Sequence, residues 1–242
     1  MSITADFHSH ILPGIDDGAR SVEESLRMLD MMGSSLTDGT HYVVATPHFK
    51  SHDVSDEIIE SYVSDRNAAF ADIKKAAPEK SRNIILGSEV ALGRELTECN
   101  SLDKLTMGNS DIIMLEMPFM PYKPWLYDVV ANIRYTHKLT PMIAHFERYF
   151  SLYKRDDYAE LFEFPDAIFQ FNSSSLKERK LRKLIFAALE SGIPLVMGSD
   201  CHDTKSRVPD YSNGLQIMNK KLDIEAVDYF KDMSANIIAE MI

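Results

Sequence analysis

Seven short apolar runs punctuate the chain: ITADFH (3–8), YVVATP (42–47), NIILGSE (83–89), DIIMLEM (111–117), PMIAHF (141–146), AIFQFN (167–172) and PLVMGS (194–199). Most are continuous rather than alternating, the pattern of strands buried on both faces, as in parallel sheets. Stretches with helical spacing lie between them. The first opens with Ser21-Val22-Glu23-Glu24, a capping box with Ser21 as N-cap and Glu24 reaching back, and continues through Leu26, Met28, Leu29 and Met32. Further helices are predicted near 55–77, 124–138 and 175–191, the last stopped by Gly192. The tail, 223–241, reads as one or two short helices. Seven β–α alternations without a linker predict an α/β fold, a closed or nearly closed β/α barrel forming one domain over 1–242. A doubly wound open sheet is the alternative. A nucleotide-binding version of it would carry a glycine-rich turn after its first strand, and this chain has HSHILPGIDDGA there.

Polar residues collect where these strands finish. The first strand ends in His8-Ser9-His10, and period-2 geometry puts both imidazoles on one side, able to grip one metal. The second runs into Thr46-Pro47-His48, the third ends in Glu89, the fourth in Glu116 and the fifth in His145. The seventh runs into Asp200 and then His202. Taken singly, each is more often a satisfied polar residue or a helix cap than a ligand. For Asp16 and Asp17, turn formation in GIDDGA competes with ligation. Glu95 and Glu98 read as a solvated helix face, and His41, His52 and His137 as surface or packing residues. Jointly the picture changes, because six of seven strands deliver a His, Asp or Glu at one end. In a β/α barrel those ends converge on a single face. Carboxylates gathered there repel one another unless cations neutralise them, and the donors exceed one metal's needs, so two or three metals are expected.

Composition narrows the class. The chain has 242 residues, 45% of them hydrophobic, and a formal net charge of -11, which disfavours nonspecific attraction to nucleic acid or anionic membrane. Its two cysteines, Cys99 and Cys201, form no disulfide framework or CxxC zinc pattern. No signal peptide or membrane-length apolar run is visible, and a cytoplasmic protein is expected.

One spacing points elsewhere. Cys201 and Arg207 stand in the Cys-x5-Arg arrangement of cysteine-dependent tyrosine phosphatases. The intervening HDTKS has no glycine, and Asp200 would oppose a thiolate. Alternation puts Asp200 and His202 on one side and Cys201 on the other, so the cysteine is read as uninvolved.

Taken together, DFHSHILPGIDDGARS, ATPHF, GSEV, LEMP, HFER and SDCHD resemble the PHP (polymerase and histidinol phosphatase) superfamily. HILPGIDDGA favours its branch of capsule- and exopolysaccharide-associated bacterial tyrosine-protein phosphatases. The resemblance runs from residue 6 to about 209. It implies a distorted (β/α)7 TIM-like barrel with three divalent metal ions, manganese first, with iron, magnesium or zinc as alternatives. Carried over, His8, His10, Glu89 and Asp200 hold one metal. Glu89 bridges to a second, bound also by Glu116 and His145. Asp17, His48 and His202 hold the third. Arg148 and Arg207 clamp the phosphate, since a guanidinium bonds phosphate oxygens in a bidentate fashion that lysine cannot copy. The implied reaction is attack of a metal-activated hydroxide on phosphotyrosine, with no cysteine phosphoenzyme. The implied partner is a tyrosine autokinase of polysaccharide synthesis. Phe49, Phe119, Tyr122, Trp125 and Phe146 are candidates to flank the phenyl ring, although packing competes for most of them. Alternatives are a small-molecule phosphatase of the histidinol-phosphate type, a nucleic-acid phosphoesterase, an amidohydrolase and a non-catalytic metal-bound regulator. Oligomerisation is compatible with the resemblance.

Overall fold

The computed structural model describes residues 3–33, 40–50 and 54–242; His52 lies outside them. The strands are β1 (Ile3–Ser9), β2 (Thr40–Ala45), β3 (His48–Phe49), β4 (Ile84–Leu86), β5 (Glu89–Ala91), β6 (Ile112–Glu116), β7 (Thr140–Ile143), β8 (Ile168–Asn172) and β9 (Leu195–Gly198). The helices are α1 (Val22–Gly33), α2 (Asp56–Ala76), α3 (Pro78–Ser81), α4 (Trp125–Tyr135), α5 (Arg155–Phe162), α6 (Arg179–Glu190), α7 (Tyr211–Lys221) and α8 (Ile224–Met241). Every strand pairing within the sheets is parallel, as the continuous apolar strings predict.

One expected strand, 83–89, divides in two, and another, 42–47, ends at Ala45 with a further short strand beyond it. Thr46-Pro47 separates β2 from β3, where proline has no N–H for a ladder, and Gly87-Ser88 separates β4 from β5. The ladders consequently form two sheets, β1-β2-β4 and β3-β5-β6-β7-β8-β9. Among the described residues these sheets do not close into one barrel. Their outer strands meet at an isolated bridge between Ser9 and Cys201, and Asp200 N–H donates to His8 O at 2.7 Å. Asp6 Oδ1 accepts from Ser199 N at 2.8 Å, adding a side-chain tie at the same place. Gly198 makes the approach possible, because a Cβ there would lie 2.5 Å from His8 Cβ.

The helices follow their local chemistry. Ser21 Oγ accepts from Glu24 N at 3.3 Å, as expected, while the Glu24 carboxylate reaches back one residue further, to Arg20 N at 3.0 Å. Ser55 caps α2 by accepting from Ile58 N. Gly192, at φ 78°, follows the end of α6. The 175–191 expectation resolves into a 3-10 turn, Ser173–Lys177, followed by α6. The tail from Ile224 is a single helix, and α3, α5 and α7 are additional to the expected set.

One hydrophobic cluster takes Phe7 from β1, Val44 from β2, Ile85 from β4, Met114 from β6, Met142 from β7 and Val196 from β9, joined by Ile238 and Met241 of α8. Full burial of such side chains is worth about 1.5–3 kcal/mol each. Helix α8 packs where strands begin: Asn109, just before β6, donates its N–H to Met241 O at 2.9 Å. The opposite, C-terminal strand ends are left to carry the polar residues. No helix among the described residues is long and apolar enough to cross a membrane.

Candidate metal centre

The strand ends bring their polar residues to one place. His8 Nε2 and His10 Nε2 point at each other, 3.1 Å apart, as two residues on one side of an extended strand should. Asp200 Oδ1 lies 3.6 Å from the first and 3.4 Å from the second. Glu89 Oε2 is 3.1 Å from His8 Nε2, 3.3 Å from His10 Nε2 and 2.9 Å from His48 Nδ1. His145 Nε2 lies 2.9 Å from Glu89 Oε1 and 3.8 Å from Glu116 Oε1. Asp17 Oδ1 is 3.5 Å from both His48 Nε2 and His202 Nε2.

Three groups could each hold an ion: His8, His10 and Asp200; His10, Asp17, His48 and His202; and His48, Glu89 and Glu116. The structure brings the nine expected residues together at the strand ends. His10 lies in two of these groups, and His48 and His145 both reach Glu89 and Glu116, the first at 2.9 and 3.9 Å and the second at 2.9 and 3.8 Å. The parallel pairing of β3 with β5 sets His48 beside Glu89, and Asp16 Oδ2 accepts from His48 N at 2.8 Å. His145 has a left-handed backbone, φ 32°, just beyond β7.

The surroundings aim the imidazoles. His8 Nδ1 is 2.8 Å from Gln170 Oε1, His10 Nδ1 is 2.6 Å from Asp16 Oδ2, and His202 Nδ1 is 3.0 Å from the carbonyl of Asp200. Each contact favours the proton on Nδ1 and directs an Nε2 lone pair inward. Gln170 Oε1 also accepts from His145 N at 2.8 Å, so one amide positions two histidines. Gly18 is needed for the turn that delivers Asp16, since a Cβ there would lie 2.2 Å from His10 O.

Sequence reasoning missed Asp16 and Gln170 as positioning residues. Asp16 is a turn former as well, accepting from Gly18 N at 2.9 Å, which masks its contact with His10. Gln170 sits inside the apolar run AIFQFN, and its polarity was the available signal.

The donors fit divalent metal ions. Metal–nitrogen bonds of about 2.1 Å put neighbouring donors on one ion roughly 3.0–3.4 Å apart. The His8–His10 and His10–Asp200 separations lie at that spacing. Glu89 Oε2, His48 Nδ1 and His202 Nε2, all turned towards other donors of the cluster, are buried without a hydrogen-bond partner, and such atoms are costly unless a cation engages them. Burial alone would push the His10 imidazole down. Hydrogen bonds with Asp16, Asp200 and Glu89 outweigh it and hold His10 well above its ordinary value.

Both candidate arginines reach the same carboxylate. Arg148 Nη2 bonds Asp200 Oδ2, and Arg207 Nη2 lies 2.7 Å from Asp200 Oδ1. Cys201 faces away, fully buried in an apolar cluster with Ile11, Leu12 and Met28, and burial pushes its thiol well above the ordinary range. Phe49 and Phe146 are buried in the core. Trp125 carries Arg94 on its ring at 5.0 Å, and Tyr122 packs edge-on to Tyr153. Glu95 and Glu98 are exposed, while His41 and His137 are half-buried away from the centre.

A family model described as "Capsular polysaccharide synthesis, CpsB/CapC" matches residues 4–239. The chain belongs to the CpsB/CapC family. Within that family it is 25% identical over 251 residues to "Tyrosine-protein phosphatase CpsB" of Streptococcus pneumoniae, spanning 98% of this chain and 99% of the relative. It is 23% identical over 235 residues to "Tyrosine-protein phosphatase YwqE" of Bacillus subtilis (strain 168), spanning 91% and 85%. It is 26% identical over 210 residues to "Putative tyrosine-protein phosphatase CapC" of Staphylococcus aureus, spanning 84% and 78%. A solved structure from a study of YwqE and CpsB, "unique metal-dependent tyrosine phosphatases", superposes with a TM-score of 0.74 at 19% identity, covering 98% of this chain and 95% of that one. That likeness establishes the shared fold.

Proposed function

We propose that this CpsB/CapC chain is a metal-dependent protein-tyrosine phosphatase, working as one domain over residues 1–242 in the cytoplasm. Its strands are read as a distorted barrel, supported by the single cluster that draws residues from β1, β2, β4, β6, β7, β8 and β9. The observation that carries the function is the convergence of three donor groups on one face beside two arginines that share Asp200.

In this reading, His8, His10, Asp17, His48, Glu89, Glu116, His145, Asp200 and His202 hold three divalent ions, manganese first. Such ions, when bound, acidify water and neutralise phosphoryl oxygens as charge shifts towards the leaving group. The protein's own side chains do the rest. Arg148 and Arg207 orient the phosphate with charge-assisted hydrogen bonds. Asp16 and Gln170 keep the imidazole lone pairs aimed inward. The leaving tyrosine phenolate, with a conjugate-acid pKa of about 10, needs only modest help. Cys201 takes no part, because a buried protonated thiol cannot attack phosphorus.

The family name connects the chain with capsular polysaccharide synthesis. The proposed substrate is accordingly a phosphotyrosine-bearing protein, a tyrosine autokinase of that process. Side-by-side kinetics of manganese-loaded protein on a phosphotyrosyl peptide and on histidinol phosphate test the reading. A kcat/KM at least a hundredfold higher on the peptide is expected, and the reverse preference would place the chain among small-molecule phosphatases.

A further inference from the structure

Two clefts meet at Arg148. One, of about 220 Å³, is polar and lies among Arg148, Asn172, Asp200, Ser206 and Arg207. The other, of about 560 Å³, has Glu116, His145 and Arg148 in its lining and apolar walls from Leu92, Met117 and Phe119. Its volume is that of a small-molecule site, with room beyond one aromatic ring. The polar cleft suits a phosphoryl group, and the apolar one suits what the phosphoryl group is attached to. We infer that the larger cleft is an aryl subsite and that Phe119 sets a preference for aryl over alkyl phosphate esters. This rests on the phosphatase reading above.

Four of the five aromatic candidates are already engaged: Phe49 and Phe146 in the core, Trp125 under Arg94, and Tyr122 against Tyr153. Phe119 is different. It is 72% exposed, yet it stands in the lining of a cleft that contains two candidate metal ligands. Its exposure leaves the ring free to meet a ligand that enters this mouth.

The segment carrying it is stiff. Pro118, Pro121 and Pro124 fix three backbone torsions within seven residues. Met120 N–H closes a tight turn onto Pro118 O at 2.7 Å. The base is anchored from below, where the buried Tyr149 hydroxyl donates to Met117 O at 3.0 Å. A ring presented on a pre-ordered segment loses little further freedom when it stacks on a ligand.

The geometry assigns each end of the substrate a place. Arg148, shared by both clefts, takes the phosphoryl oxygens; the ester oxygen and its aryl group extend towards Phe119. An alkyl ester would make the same arginine contacts and leave the phenyl face empty. Aromatic stacking of this kind is worth roughly tenfold in affinity.

The test uses non-hydrolysable ligands on the manganese-loaded, full-length protein, with calorimetry of phenylphosphonate and methylphosphonate. Wild-type protein is expected to bind phenylphosphonate about tenfold more tightly. Phe119→Ala should abolish that difference while leaving methylphosphonate affinity in place, and Phe119→Tyr should restore it. Equal binding of the two ligands by wild type, or an undiminished preference in Phe119→Ala, would overturn the aryl subsite. The phosphatase reading fails separately, if the protein shows the binding preference and its loss in Phe119→Ala but hydrolyses no phosphotyrosyl peptide.

Discussion

His10 Nδ1 lies 2.6 Å from Asp16 Oδ2. The same oxygen accepts from His48 N at 2.8 Å, so one carboxylate sets the attitude of one candidate ligand and the backbone of another. Burial would raise the Asp16 carboxyl, but its contact with His10 and two backbone N–H donors hold it well below the usual range. Asp16→Asn is expected to weaken manganese binding about 10–100-fold, the usual effect of losing such an orienting partner. Titration of metal-stripped protein by calorimetry checks this, with circular dichroism to show that the fold persists.

Arg148 and Arg207 grip Asp200 from its two oxygens. Their proposed work on phosphate predicts that lysine will not substitute at either position. Arg207→Lys should raise the inhibition constant of orthophosphate on the order of tenfold, the size of one charged hydrogen bond. An unchanged constant with a lower melting temperature would make the arginine a structural partner of Asp200 and nothing more.

Cys201 and Asp200 are neighbours with opposite expected fates. Cys201→Ser should leave phosphotyrosyl-peptide turnover within about twofold, while costing about 1–3 kcal/mol of stability for a hydroxyl placed among Ile11, Leu12 and Met28. Asp200→Ala should abolish turnover. Steady-state kinetics and thermal melts of both variants settle the pair.

His41 offers a pH test remote from the metal centre. Burial lowers its pKa from 6.5 to about 4, with its Nδ1 2.9 Å from Thr4 Oγ1 and its ring beside Tyr211. Between those values the unfolded chain binds a proton that the folded chain refuses, so stability falls as the pH drops. The contribution is fully present above 6.5 and is progressively lost towards about 4. Urea melts at several pH values are expected to show wild type losing stability relative to His41→Gln as the pH falls through this window.

Much of the site was legible because strand ends concentrate it. His8 and His10 announce themselves by period-2 spacing, and Glu116, His145 and Asp200 follow apolar runs. The role of Asp16 was not legible, since its contact with His48 N spans 32 residues of chain and turn formation in GIDDGA accounts for the residue locally. Parallel strands were readable from their unbroken hydrophobicity. Their partition into two sheets turned on Pro47 and Gly87, which sit within runs that otherwise look continuous. Helices α5 and α7 escaped because RDDYAELF is short and YSNGLQIMNKK carries a glycine and polar residues in its interior.

The central claim is that metal held by the strand-end residues is required for hydrolysis of phosphotyrosine. It is tested most directly by following turnover of a phosphotyrosyl peptide in protein as purified, after chelation, and after manganese is returned, with metal content measured at each stage. Turnover is expected to disappear with the metal and to return with it. Full turnover in protein shown by analysis to hold no metal would contradict the account.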